Sequence, residues 1–320
     1  MALRTPLALD EARRLLAAWA LVPDEVTPLP AHGTVNSNFR VRASGRTWFL
    51  RINEGKRDDD VVAEATLVDR LRAGGLPTPE VVRTRAGAWF ARHADKPVTL
   101  FPWLNGREAE PRFDRPSTVA VAGRALALLH LASAGLEPSS LPRNHYSLDE
   151  LERRVGRFAA DARFADALPV LVDELRRARQ PRSLPSGLIH QDLFPDNLLV
   201  DDAGELVAVL DLEQATFGRF VYDLAVTLTS WCWDGRAHHP VAARALLDAY
   251  RALRPLDAAE EQALPDELRL AAARFTITRI TDVFLPDGVD PELRRRKHFQ
   301  HYLDRLLALR DAQSDDSWLG

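Results

Sequence analysis

The residues best able to do chemistry together lie in one short stretch, His190-Gln191-Asp192-Leu193-Phe194-Pro195-Asp196-Asn197. It is followed by an apolar run at 198–200, the turn Asp201-Asp202-Ala203-Gly204, a second apolar run at 206–210, and Asp211. Runs on either side of such a turn are expected to pair as antiparallel strands, bringing Asn197 and Asp211 to one edge of the hairpin. An amide oxygen and a carboxylate at one point, with the Asp192 carboxylate shortly before the Asn, suit a hard cation that keeps water and phosphate oxygens in its shell; magnesium is the natural occupant. Phosphoryl transfer asks little covalent help of a protein. It needs metal charge on the phosphates and a carboxylate that orients the attacking hydroxyl and takes its proton, and Asp192 is placed for that role. Singly, Asp192, Asn197 and Asp211 are also ordinary turn residues; their spacing about a hairpin favours the chemical reading.

Elements must hold these groups. Residues 8–20 read as an amphipathic helix, and two strands, 37–41 and 47–53, flank the turn Ala43-Ser44-Gly45-Arg46 as a hairpin. Residues 58–73 carry Val61, Ala65, Leu67, Val68 and Leu71 at helical spacing and stop at Gly74-Gly75, ahead of Pro77 and Pro79. Further strands are expected at 80–84 and 88–92, around Gly87, and an apolar run at 98–104 completes a small sheet. From Ser117 the pattern is mostly helical: 119–130 is apolar, and Ser147-Leu148-Asp149-Glu150 is a capping box. Residues 181–185 break the helices, 187–212 return to short strands, and helical spacing resumes at Val221.

With 320 residues the chain exceeds the size of a single hydrophobic core, so two lobes are expected. A net charge of -4 offers no field for nucleic acid or an anionic membrane surface. No apolar run approaches the length of a membrane-spanning helix. The lone cysteine, Cys232, cannot form an internal disulfide, and the N-terminus carries no signal pattern, so the cytoplasm is the expected location. Only Lys56, Lys96 and Lys297 are lysines among 42 basic residues.

The spacing H-x-D-x-x-x-x-N before a strand ending in Asp resembles the catalytic and metal motifs of the protein-kinase-like superfamily, and more closely the aminoglycoside phosphotransferase family. Residues 187–192, Asp211-Leu212-Glu213-Gln214-Ala215 and Tyr222-Asp223-Leu224-Ala225 are similar to its homoserine kinase type II branch. So are Gly33-Thr34-Val35-Asn36-Ser37-Asn38-Phe39, the 96–106 stretch and the helix 273–282, so that the resemblance covers nearly the whole chain. It implies an α+β, two-lobed protein-kinase-like fold: a small antiparallel-sheet N-lobe with one helix over 1–104, ending in a hinge, and a mostly α-helical C-lobe over 105–320 that holds the catalytic loop, metal site and acceptor pocket. It further implies ATP and magnesium as cofactors, Asp192 as catalytic base, Asn197 and Asp211 as metal ligands, and a hinge at Phe101 and Trp103 that meets adenine. Glu64 becomes the helix partner of a phosphate-binding cation. The family commonly has Lys in the third strand, whereas this chain has Arg51, which keeps the charge but not the compact shape. The loop over the phosphates has Gly33 as its only glycine, with Asn36 and Ser37 as hydrogen-bonding groups. His190 and Asp223 are expected to support the catalytic loop. Glu213, in place of a glycine, is open to a second-metal contact, a substrate contact or a salt bridge.

The expected partners are ATP and a small-molecule acceptor, with homoserine or a related amino alcohol leading and an aminoglycoside or choline-like amine as the alternative. Glu213, Asp234, Arg279 and Asp282 offer both signs of charge for the acceptor, and Trp231 and Trp233 suit either. A nucleotide-binding protein without turnover is a further reading, encouraged by Arg51 and the glycine-poor loop and opposed by Asp192, Asn197 and Asp211 together. A protein kinase is disfavoured by the lack of D-F-G and A-P-E segments. His130, His238, His239 and Cys232 read as packing or loop residues, and 294–297 as a solvated charged face. Monomer and homodimer are equally open.

Overall fold

In the computed structural model, which describes residues 5–29 and 36–312, the N-terminal strands form one antiparallel five-stranded sheet. They are β1 (Pro23–Pro28), β2 (Ser37–Ala43), β3 (Arg46–Ile52), β4 (Ala91–His93) and β5 (Lys96–Pro102), in the order β1-β2-β3-β5-β4. The β2–β3 connection is the two-residue turn Ser44-Gly45 with φ of 52° and 73°, the geometry that matches the right-handed twist of its strands. One face of the sheet, with Val41, Leu50, Ile52, Val98 and Leu100, packs under α1 (Leu9–Leu16) and Trp19, whose indole N–H donates to the Val82 carbonyl at 2.9 Å. β1 is absent from the sequence reading because prolines bound it and Asp24 and Glu25 are charged; it is an edge strand, where both are tolerated.

The strand expected at 80–84 is instead irregular. Pro77 and Pro79 precede it, and Thr84 accepts the Gly87 N–H while donating to Ala88 O, closing a turn through Gly87 at φ 79°. α2 (Asp58–Ala73) forms as expected: Asp58, Asp59 and Asp60 favour its N-terminus, Asp60 caps the Arg57 N–H at 3.2 Å, and Val61, Ala65, Val68 and Leu71 are buried. The compact unit made by these elements runs to Gly106 and also takes in Val207–Glu213.

The second unit, Arg107–Leu206 with the chain from Gln214 onward, is mainly helical. Its elements are β6 (Arg107–Glu108), α3 (Ser117–Ala132), α4 (Leu148–Gly156), α5 (Leu168–Ala178), β7 (Ser186–Ile189), β8 (Leu198–Val200), the start of β9 (Leu206–Val209), β10 (Thr216–Arg219), α6 (Phe220–Trp231), α7 (Pro240–Arg251), α8 (Ala258–Arg279), α9 (Pro291–Arg296) and α10 (Gln300–Asp311). α3 and α7 approach so closely at Gly123 that a Cβ there would lie 2.1 Å from the Leu246 carbonyl oxygen. β7 pairs antiparallel with β10, and β6 with β8. The turn between β8 and β9 closes with Asp201 N–H donating to Glu205 O at 3.0 Å and Glu205 N–H to Asp201 Oδ1 at 2.8 Å. α8 ends in a π turn, Ile280–Phe284. Among the described residues no helix is long and apolar enough to cross a membrane.

Candidate active site

In the first unit the charged groups gather on the side of β3 that carries Phe49 and Arg51. The alternation of strand side chains puts Leu50 and Ile52 in the core and Arg51 on the other face. Its guanidinium carbon stands 5.7 Å from the Phe49 ring centroid and 5.8 Å from that of Phe101, whose strand pairs with β3 at that residue. Glu64, almost two turns into α2, receives two cations. Arg51 Nη1 is 3.6 Å from Glu64 Oε1, and Lys56 Nζ is 2.6 Å from Oε2. Lys56 also lies 3.0 Å from Glu213 Oε2, so one ammonium joins the helix carboxylate to the residue two positions beyond Asp211.

Burial alone would lower the Lys56 pKa, but the carboxylates of Glu64 and Glu213 outweigh it and hold the ammonium above its ordinary value. Glu213 responds in the opposite sense: burial pushes it up, while Lys56, Arg51 and a hydrogen bond with Asn36 hold it below the usual glutamate range. Lys56 is the cation beside Glu64 that strand reasoning passes over, because it lies past the end of β3, ahead of α2. Two signals were available for it: lysine is rare in this chain, and Lys56 stands eight residues before Glu64.

Other expected groups of this unit are placed as follows. Gly33 lies outside the described residues. Ser37 is buried and donates its hydroxyl to Glu54 Oε1 at 2.7 Å, and Asn36 Oδ1 accepts the Glu54 N–H at 3.1 Å, so both brace the segment after β3. Trp103 donates its backbone N–H to Thr47 O at 3.2 Å, with the Arg40 guanidinium 5.9 Å from its ring. A cleft of about 500 Å³ is lined by Trp48, Glu80, Val82, Pro102, Trp103 and Asn105. Trp48 points to the face of β3 opposite Phe49 and Arg51, so this cleft does not open on the paired cations. Asp211 follows β9 in a left-handed conformation, φ 56°.

In the second unit β7 delivers the chain to His190, and α6 holds it there. Asp223, fully buried on the first turn of α6, accepts the backbone N–H of His190 at 2.7 Å on Oδ2 and that of Gln191 at 2.8 Å on Oδ1. Gln191 is at φ 65°, a left-handed conformation that a non-glycine residue keeps only when its surroundings dictate it. Behind Asp223, His130 Nε2 is 3.1 Å from Oδ2, and His130 Nδ1 is 2.8 Å from the Tyr250 hydroxyl, which accepts from Arg254 Nη1 at 2.9 Å. Burial lowers the His130 pKa despite Asp223, so this histidine is neutral at neutral pH and its link to Asp223 is a hydrogen bond.

Beyond the clamp, Asp192 N–H meets His190 Nδ1 at 3.3 Å, and Asn197 Nδ2 donates to Asp192 O at 2.7 Å. The next turn is closed by Phe194 N–H on Asp192 O at 2.8 Å and Asn197 N–H on Phe194 O at 3.0 Å. Because its amide nitrogen is engaged, Asn197 has a carbonyl oxygen left to offer a cation. Asp192 itself is 29 % exposed, with Arg274 Nη1 4.0 Å from Oδ1. Burial raises its pKa, and Arg274, His190 and Lys297 partly offset this. Among the described residues no three His, Cys, Asp or Glu side chains gather as a metal cluster.

The expected acceptor residues fare differently. Trp231 is fully buried and donates its indole N–H to Leu193 O at 2.8 Å, so it supports the loop from behind instead of lining a pocket. Asp234 caps the N–H groups of Arg236 and Ala237 at 2.8 Å, and these hold its pKa down. Asp282 is bound by Arg154 Nη1 at 2.6 Å. Arg279, 4.5 Å from the Tyr302 ring, donates to His298 O at 3.1 Å.

Residues 25–256 match the model of the phosphotransferase enzyme family. The homoserine kinase of Xanthobacter autotrophicus is 36% identical over 287 residues, 86% of each chain. Among solved structures, a microcompartment-associated aminopropanol kinase superposes with a TM-score of 0.69 at 20% identity, covering 97% of this chain and 99% of its own. An amicoumacin kinase in complex with AMP-PNP, Ca2+ and Ami superposes with a TM-score of 0.70 at 17% identity, covering 97% of this chain and 92% of its own. Both share the two-lobed kinase-like fold.

Proposed function

This chain belongs to the phosphotransferase enzyme family, and we propose that its reaction is the magnesium- and ATP-dependent phosphorylation of the side-chain hydroxyl of homoserine, carried out in the cytoplasm. The observation that carries the reading is the clamped loop: one buried carboxylate, Asp223, holds two consecutive amides and thereby sets Asp192 and Asn197 in place. Homoserine as acceptor is supported by the curated relatives of that name, which are about one-third identical over most of this chain.

Asp192 is the catalytic base. Its burial raises its affinity for a proton above that of a solvated carboxylate, which suits a group that accepts one from an alcohol, while the nearby Arg274 works against that rise. Lys56 and Arg51 bind the phosphates, and Glu64 fixes both cations. The backbone of Phe101, Pro102 and Trp103 receives adenine through groups other than the Trp103 N–H, which Thr47 already takes. Asn197 and Asp211 offer only oxygen to a metal, the donor type a hard cation prefers. Magnesium held by them would neutralise charge on the phosphate oxygens.

ADP release measured with Mg-ATP and a panel of L-homoserine, other amino alcohols, choline and aminoglycosides tests this. Turnover is expected with homoserine and is expected to fall about 10²- to 10⁴-fold in Asp192→Asn. Turnover on homoserine that survives this substitution, or none on homoserine while another acceptor reacts, would refute the assignment.

A further inference from the structure

Helices α8 and α10 bring two guanidinium groups onto one phenol and a third onto the ring stacked against it. Tyr302 is fully buried, its ring stacked on Phe275 with centroids 4.7 Å apart. The guanidinium carbons of Arg279 and Arg305 lie 4.5 and 4.2 Å from the Tyr302 ring centroid, and that of Arg274 lies 3.9 Å from the ring of Phe275. Phe194, two residues after Asp192, is 5.1 Å from Phe275 and 6.4 Å from Tyr302, so the cluster adjoins the catalytic loop.

The polar atoms here are poorly answered. The Tyr302 hydroxyl, Arg274 Nε and Arg305 Nε are buried and make no hydrogen bond. A buried donor left without a partner costs about 1–3 kcal/mol, and three in one place, beside cations of like sign, are not a stability device. The bonds that do form go to neutral carbonyls: Arg274 to Gln191 O at 3.3 Å, Arg279 to His298 O at 3.1 Å and Arg305 to Thr229 O at 3.0 Å. The neighbouring acid Asp282 is taken by Arg154, and Asp192 stands 4.0 Å from Arg274 alone. Burial, with Arg305 and Arg274 close by, draws the Arg279 pKa below its ordinary value against the opposing pull of Tyr302 and Asp192. The cluster is short of negative charge.

We propose that Arg279, Arg305 and the Tyr302 hydroxyl form an anion subsite that receives the carboxylate of the acceptor, fixing its far end while its hydroxyl meets Asp192. This rests on the kinase reading above and restricts it: the acceptor is a hydroxy acid or hydroxy amino acid, and a polycationic sugar or a quaternary amine is repelled. Donors without partners become satisfied only when such a ligand is present, so the subsite rewards a carboxylate and penalises its neutral isostere.

Steady-state kinetics on the full chain compare L-homoserine, its carboxamide and the diol in which the carboxylate is reduced to an alcohol, using wild type, Tyr302→Phe and Arg305→Gln. The carboxamide and diol are expected to lose about 10- to 100-fold in kcat/KM with wild type, the worth of a hydrogen bond to a charged group. Each substitution should raise KM for homoserine about 10-fold, with a smaller change in kcat, and should narrow the preference over the carboxamide. Tyr302→Phe removes an unsatisfied donor, so its thermal midpoint should not fall; a purely structural hydroxyl would give the reverse, a lower midpoint with KM unmoved. Wild type that phosphorylates homoserine and its carboxamide equally well overturns the subsite and leaves the kinase reading standing. Turnover confined to acceptors without a carboxylate overturns both the subsite and homoserine as substrate.

Discussion

At the scale of single residues, Lys56 sits between Glu64 and Glu213 while Arg51 stands further from Glu64. A compact ammonium is the better point charge for a phosphate, so Lys56→Ala is expected to reduce kcat/KM for ATP by about 10²-fold and Arg51→Ala by less. Steady-state kinetics with ATP as the varied substrate decides this, and the opposite ranking would return the phosphate to Arg51. Asp192 gives a second expectation. It must be ionised to accept a proton, and burial raises its pKa, so the acid limb of the kcat/KM profile should lie above the usual aspartate range. Arg274 lowers that pKa; Arg274→Gln should therefore shift the limb to higher pH. A limb that stays in place in the variant would separate Arg274 from the titration. The sequence signalled Asp192, Asn197 and Asp211 through spacing about a turn. Lys56 escaped because the position of the cation was taken from a strand, and Tyr302 and Arg305 because they follow helical spacing in α10 with no motif to mark them.

Secondary-structure elements act here mainly by what they clamp. α6 presents Asp223 to two loop amides and to His130. An amide in its place can accept with one end only, so Asp223→Asn should reduce kcat more than KM and destabilise the chain by about 1.5–3 kcal/mol, the worth of hydrogen bonds to a charged acceptor. Urea unfolding beside kinetics measures both, and an unchanged kcat would detach the clamp from turnover. Helices and the β2–β3 hairpin were legible because periodicity and the Ser44-Gly45 turn are local signals. β1 was not, since an edge strand between prolines is set by its pairing with β2 from Pro23 to Pro28. Conversely, β-forming residues at 80–84 do not make a strand, because Val82 alone reaches β5 with its N–H, at 2.8 Å to Leu100 O. Tertiary pairing decides such segments, and propensity does not.

Across the molecule, the scarcity of lysine gives each one a distinct place. Lys96 pairs with Glu54, which also accepts Ser37 Oγ at 2.7 Å and Thr5 N–H at 3.0 Å. Burial would raise the Glu54 pKa, but the bonds from Lys96, Ser37 and Thr5 bring it down to about 2. A carboxylate so depressed contributes stability that is complete above its unfolded pKa and disappears as pH falls towards about 2. With solvent screening at Lys96, that contribution is about 2 kcal/mol. Glu54→Gln should thus be less stable than wild type near pH 7, with the gap closing as unfolding is measured towards pH 3; a gap independent of pH would contradict it. The pairing of Lys56 has a different consequence for chemical labelling. An amine must lose its proton to attack an electrophile, and Lys56 is held protonated by two carboxylates. Acylating probes that report on nucleotide-site lysines should react slowly with it and mark exposed Lys297 first. Neutralising Glu64 and Glu213 together would then turn Lys56 into a visible target in a peptide map.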